Sequence, residues 1–172
     1  MSRQCLARVV RSVAIAAFLA TAWPVAHAQV VTWNGTTGTS WSTTSNWAGG
    51  SITTGTAELV FTGASPANQP LNNDITSGTF RRLTFLNSGW SNLLTLGGNG
   101  FTLSGAQSSG TTLINNNTTA GRNVTIQNNI TLADVQTWSV GQNANAVTTM
   151  SGNLSGTGAL AVIGGTSSVT PG

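Results

Sequence analysis

The chain has 172 residues with six arginines, no lysine, three acids and one histidine, a formal charge of +3. That excess belongs to residues 1–28, which carry Arg3, Arg8, Arg11, His27 and the single Cys5; residues 29–172 set Arg81, Arg82 and Arg122 against Glu58, Asp74 and Asp134. Residues 29–172 are therefore expected to offer no polyanion-binding surface, no thiol or imidazole catalysis, no disulfide, no lysine Schiff base and no zinc, copper or iron site of the ordinary kinds.

The N-terminus reads as a secretory signal peptide. A basic start precedes the apolar run Val13-Ala14-Ile15-Ala16-Ala17-Phe18-Leu19-Ala20, which is too short for a permanent membrane span. Ala26-His27-Ala28 then supplies a cleavage site, so the mature chain is expected to begin at Gln29 and to carry no membrane span. In residues 29–172, Thr, Gly, Asn and Ser make up more than half of the positions, which leaves few strong helix formers. Short bursts of Leu, Ile, Val, Phe and Trp recur throughout with almost no charge, a pattern that points to a folded all-β domain rather than to disorder.

Residues 29–56 form a segment of their own. Trp33, Trp41 and Trp47, half of the chain's six tryptophans, cluster in one short stretch among Gly, Ser, Thr and Asn. Two roles suit them: a lid over the open end of a β-domain, which is the favoured reading, or a flat platform for a sugar ring or other partner.

From residue 57 onward, alternating apolar positions mark strands at Ala57–Thr62, Leu83–Leu86, Leu93–Leu96, Phe101–Ser104, Thr111–Ile114, Val124–Gln127, Ile130–Leu132, Thr137–Val140, Val147–Met150 and Ala159–Ile163, after a first one at Val30–Trp33. Leu94, Leu96, Leu103, Ile126, Leu132, Val140 and Val162 are expected to share one core. Hairpin signals are few, Asn34-Gly35 and Asn99-Gly100, whereas Asn115-Asn116-Asn117 and Asn128-Asn129 provide residues that tolerate left-handed corners. This turn chemistry favours a parallel β-helix with coils of about 20–25 residues over the alternative, a β-sandwich. Internal repetition is weak: Asn73-Asp74-Ile75-Thr76 echoes Asn129-Ile130-Thr131, and Gly152-Asn153-Leu154-Ser155 falls one such coil beyond Ile130.

The order Trp33-Asn34-Gly35, Trp41-Ser42, Asn46-Trp47, Glu58-Leu59-Val60-Phe61, Asn72-Asn73-Asp74-Ile75 and Leu83-Thr84-Phe85 resembles the start of bacterial proteins with autotransporter-associated β-strand repeats. Leu93 to Gly100, Phe101-Thr102-Leu103, Ile130-Thr131-Leu132, Gln136-Thr137-Trp138 and Ser151 to Gly158 extend the resemblance over the mature chain. It implies a right-handed parallel β-helix passenger region, exported and then displayed on the cell surface or outer membrane, or released. Relatives continue through further repeats into an outer-membrane barrel or a sorting tail, whereas this sequence reaches Thr170-Pro171-Gly172 before either, so residues 57–172 are expected to be solenoid coils truncated at the C-terminus.

Chemistry has little to build on. Glu58, Asp74 and Asp134 are the only acids, and glycoside hydrolysis needs two carboxylates about 5–10 Å apart. Arg81-Arg82 near Asp74 is the nearest approach to a polysaccharide lyase. Gly97 to Leu103 is similar to a calcium-binding nonapeptide but has Thr102 where the liganding aspartate belongs. The sequence therefore points to no catalytic residue, no metal, no cofactor and no nucleic-acid partner. The expected function is that of an exported, non-enzymatic structural or adhesin-like scaffold meeting a host or matrix surface; the alternative is a polysaccharide-binding or polysaccharide-degrading β-helix.

Overall fold

The computed structural model describes residues 28–35, 37–62, 70–86, 93–104, 111–116, 123–140 and 147–164. The signal-peptide reading of residues 1–27 lies outside them. The described strands are β1 (Val30–Trp33), β2 (Trp47–Ala48), β3 (Glu58–Phe61), β4 (Leu71–Asn73), β5 (Gly78–Phe80), β6 (Arg82–Leu86), β7 (Leu93–Gly98), β8 (Phe101–Leu103), β9 (Thr111–Asn116), β10 (Asn123–Ile126), β11 (Ile130–Leu132), β12 (Gln136–Val140), β13 (Thr148–Met150), β14 (Leu154–Gly156) and β15 (Leu160–Ile163), with one 3-10 turn at Thr44–Asn46.

These strands stack into a three-sided parallel β-solenoid. The first sheet has the order β15-β12-β9-β6-β3-β1-β2, the second β13-β10-β7-β4 and the third β14-β11-β8-β5. Each rung takes one strand from the second, third and first sheets in turn, which gives the rungs β4–β5–β6, β7–β8–β9, β10–β11–β12 and β13–β14–β15. Pairing between rungs is parallel throughout the described residues; β1 with β2 is the antiparallel exception. The sandwich alternative therefore falls.

Period-two alternation fixes the register, because a one-residue slip would turn every apolar side chain outward. Leu59 lies beside Leu83, Leu83 beside Leu113, Leu113 beside Trp138 and Trp138 beside Val162. The step from Leu83 to Leu113 is the longest of these and exceeds the coil length expected from the sequence. On the other two faces Leu71, Leu96, Ile126 and Met150 form one inward row, and Phe80, Leu103 and Leu132 another. All of these but Val162 are buried, and each buried apolar side chain of this size contributes about 1.5–3 kcal/mol. Of the seven residues expected in the core, Val162 departs: it lies above Trp138 on the last described rung and is 45% exposed because no described residue stacks on it.

Four strands escape the alternation rule: β2, β4, β5 and β14, with the sequences Trp-Ala, Leu-Asn-Asn, Gly-Thr-Phe and Leu-Ser-Gly. Their extended form comes from the rung beside them. The asparagine corners also differ from expectation. Among the described residues the non-glycine with positive φ is Ser77, not an asparagine. Asparagines turn the chain here through their side-chain amides. Asn73, Gly98, Asn128 and Gly152 line one corner in rung order, since Asn73 pairs with Gly98 and Ile126 with both Leu96 and Met150. Asn73 and Asn128 are fully buried, and the glycine above each leaves room for the asparagine backbone beneath it.

Candidate functional site

The N-terminal segment closes one end of the solenoid. β1 runs parallel to β3 in the first sheet, and the chain then crosses beneath the second sheet, where Asn72 donates its N–H to Thr39 O at 2.8 Å and accepts from Trp41 N at 3.0 Å. After the 3-10 turn, β2 pairs back onto β1 with Trp33 beside Trp47. Under the third sheet, Gly55 N donates to Thr79 O.

Side chains hold this path in place. The buried Asn46 accepts from Thr37 N and Oγ1 at 2.9 and 2.8 Å and donates through Nδ2 to Ser40 O at 3.0 Å. Gln29 clamps the return stretch: its Nε2 donates to Ser51 O and its Oε1 accepts from Thr53 N, both at 2.7 Å, while its carbonyl accepts from Glu58 N.

Trp33, Trp41 and Trp47 are 3%, 1% and 4% exposed. Trp47 meets Trp33 and Trp41 edge-on at 4.9 and 6.1 Å, all three rings contact Phe61, and Trp41 also reaches Phe80 and Phe101. Trp47 Nε1 donates to Trp41 O at 2.8 Å. In this packing the indoles form the lid over the first rung and leave no open ring face on which a sugar could stack, which favours the lid over the platform.

The three acids lie apart. Glu58, on β3, faces Arg82 across the first sheet, Oε2 to Nη1 at 3.6 Å, and accepts from Thr84 Oγ1 at 3.0 Å. Asp74 lies after β4, at the corner between the second and third sheets, where its carboxylate accepts from the N–H and hydroxyl of Ser42. Burial pushes its pKa up, but the bonds from the Ser42 hydroxyl and N–H, from its own N–H and from Ser40 outweigh that and leave it below the usual 3.8. Asp134 precedes β12, two rungs above Asp74, an axial offset of about 10 Å at the usual strand spacing. Arg81 falls in the bend between β5 and β6 and Arg82 on β6, so Arg82 is turned to Glu58 and not to Asp74.

Outside the lid, two of the three sheet faces carry ladders of hydroxyls. Thr79, Thr102, Thr131 and Ser155 stand in register on the third sheet, and Thr95, Thr125 and Thr149 on the second. Thr131 Oγ1 lies 3.3 Å from Ser155 Oγ along this ladder. No pocket opens among the described residues, no group of three His, Cys, Asp or Glu gathers there, and no described helix is long and apolar enough to cross a membrane. Sequence reasoning missed Gln29, Asn46 and the buried amides of the corner pair Asn73 and Asn128, the latter having been placed at a corner for its backbone tolerance alone. The repeated Asn-x-Ile of Asn73/Ile75 and Asn128/Ile130 was the available signal for the last two. Comparison with protein-family models, with curated proteins and with solved structures finds no match for the chain.

Proposed function

We propose that the protein is an exported, non-enzymatic β-solenoid that serves as a structural or adhesin-like scaffold at or beyond the bacterial cell surface, the start of a passenger region of the autotransporter-associated repeat type. The observation that carries this reading is a rod whose interior is filled by stacked apolar rows, whose first rung is closed by the tryptophan lid, and two of whose three faces carry ladders of Thr and Ser. Such a body supplies stiffness and repeated surface from backbone ladders alone, without disulfides, which suits a chain that crosses membranes unfolded.

Expression in a Gram-negative host with an epitope tag after Gly172 tests it. The expected result is a mature N-terminus at Gln29 by mass spectrometry, tag on intact cells or in the medium, and adhesion of coated beads to host matrix. Retention of residues 1–28 in the cytoplasm would contradict it. A second reading, polysaccharide binding, draws on the hydroxyl ladder Thr79–Thr102–Thr131–Ser155, whose groups can exchange hydrogen bonds with sugar hydroxyls; retention on insoluble polysaccharide, lost when Thr102 and Thr131 become valine, would favour it.

A further inference from the structure

We propose that Asn99-Gly100 is a self-modification site, at which the chain converts Asn99 to isoaspartate through a cyclic imide with water as the co-reactant. An asparagine reacts in this way when the next backbone nitrogen reaches its side-chain carbonyl carbon, and glycine, which has no Cβ, hinders that approach least. The sequence holds two such pairs, Asn34-Gly35 and Asn99-Gly100.

Their surroundings differ. At the first pair Asn34 N and Gly35 N both donate to Asn46 O, at 2.9 and 3.4 Å, and a Cβ on Gly35 would lie 2.8 Å from Trp33 Nε1. The attacking nitrogen is engaged there, beside an indole of the lid. At the second pair both residues are exposed, and among the described residues neither the Asn99 side chain nor Gly100 N makes a hydrogen bond. Nucleophile and electrophile are both free. Asn123, Asn129 and Asn153 are instead followed by Val124, Ile130 and Leu154, whose side chains obstruct the nitrogen, and the first two are also held through Oδ1 by Val147 N and Asn153 N.

Gly100 N forms a bond to Asn99 Cγ and gives up its proton, and the side-chain nitrogen leaves as ammonia with the electron pair of its broken bond. The imide holds Gly100 N between Cγ and the main-chain carbonyl carbon of Asn99. Water then adds to one of these two carbons, whose bond to Gly100 N breaks as the nitrogen takes a proton back. Opening at Cγ gives aspartate. Opening at the main-chain carbon gives isoaspartate, in which the chain runs on through Cγ and the former carbonyl is a carboxylate.

The fold chooses between these outcomes. Asn99 O accepts from Nδ2 of Asn73 and of Asn128, each at 2.8 Å. Two fixed N–H donors stabilise the negative charge that this oxygen acquires as water adds to its carbon, and then the carboxylate that it becomes. Among the described residues Cγ has no such donors. Ring opening is thereby directed to isoaspartate, which brings a negative charge into residues 93–104, where the sequence has none.

Peptide mapping by mass spectrometry tests the proposal on the full chain, held folded in mildly alkaline buffer and, in parallel, unfolded in urea, with isoaspartate told from aspartate by enzymatic methylation. In the folded chain Asn99 should lose its amide roughly three- to tenfold faster than Asn34, the factor that one hydrogen bond to be broken is worth. In urea the two sites should react alike. Isoaspartate should exceed aspartate at Asn99 by more in the folded chain than in urea, and Asn99→Ser should abolish the product. The proposal is overturned if Asn99 stays intact in the folded chain, if it reacts no faster there than Asn34, or if its product ratio is the same folded and unfolded.

Discussion

Asn73 and Asn128 donate from opposite sides to one carbonyl oxygen, that of Asn99, each through Nδ2 at 2.8 Å. Asn128 Nδ2 also donates to Gly97 O at 2.8 Å, so a single amide ties its own rung to two carbonyls of the rung beneath. Asn73 turns its other end inward on its own corner, accepting from Ile75 N at 3.1 Å. Two fully buried amides thereby satisfy backbone groups that a corner takes out of the sheet ladders.

Asn128→Ala should destabilise the fold by about 2–4 kcal/mol, from lost hydrogen bonds, an orphaned Gly97 carbonyl and a small void. Asn128→Asp should be worse at neutral pH, since a carboxylate would face two carbonyl oxygens, and should recover partly in acid. Urea titrations at two pH values check both outcomes.

The same corner requires glycine between its asparagines. Gly98 has φ of +90°, and a Cβ there would run into the Asn72 side-chain oxygen and the Asn73 backbone. Gly98→Ala should therefore cost at least about 1–3 kcal/mol, more than Gly38→Ala, where φ is +139° but no atom lies within 4 Å of the added carbon. Thermal melts of the two variants measure the difference.

The strands that alternate in sequence are legible there: Val30–Trp33 and Ile130–Leu132 match their structural bounds, and Leu83, Phe85, Leu94 and Leu96 lie in the core as their spacing requires. The scarcity of hairpin signals also points correctly to parallel stacking, whereas the asparagines turn corners through their side-chain amides and not through the left-handed backbone that was expected of them. What stays hidden depends on a neighbour. Leu71-Asn72-Asn73 becomes a strand because β7 lies beside it, and Asn73 fits beneath Gly98 because glycine leaves it space, neither of which the local sequence expresses. The tryptophan lid is readable as composition, but the hydrogen bonds of Gln29 and Asn46 that hold it join separated positions through polar residues common everywhere in this chain.

Truncating the lid should cost much of the stability. Trp41 packs against Trp47, Phe61, Phe80 and Phe101 at once, so Trp41→Ala should lose about 3–5 kcal/mol. Trp47→Phe keeps most of the packing but removes the bond to Trp41 O, for about 1 kcal/mol. Denaturant unfolding followed by circular dichroism distinguishes the two.

Asp74 contributes a pH-dependent term. Its pKa is lower folded than unfolded, so its contribution is complete above the ordinary carboxylate value and disappears as pH falls through the lowered one. Asp74→Ala should be less stable than the parent at neutral pH by about 1 kcal/mol at most, since the carboxylate is exposed, and equal to it in strong acid. Ser42→Ala should remove part of the same difference.

Disulfide trapping along the third sheet tests the stacked parallel register most directly. With Cys5 replaced by serine, cysteine pairs at Thr79/Thr102 and Thr102/Thr131 join neighbouring rungs about 4.8 Å apart, while Thr79/Thr131 spans two rungs at about 10 Å, beyond the reach of a disulfide. The solenoid predicts rapid oxidation of both neighbouring pairs without loss of the native melt, and none of the skipped pair. Closure of Thr79/Thr131 as readily as the other two, or failure of the adjacent pairs to close in folded protein, would contradict it.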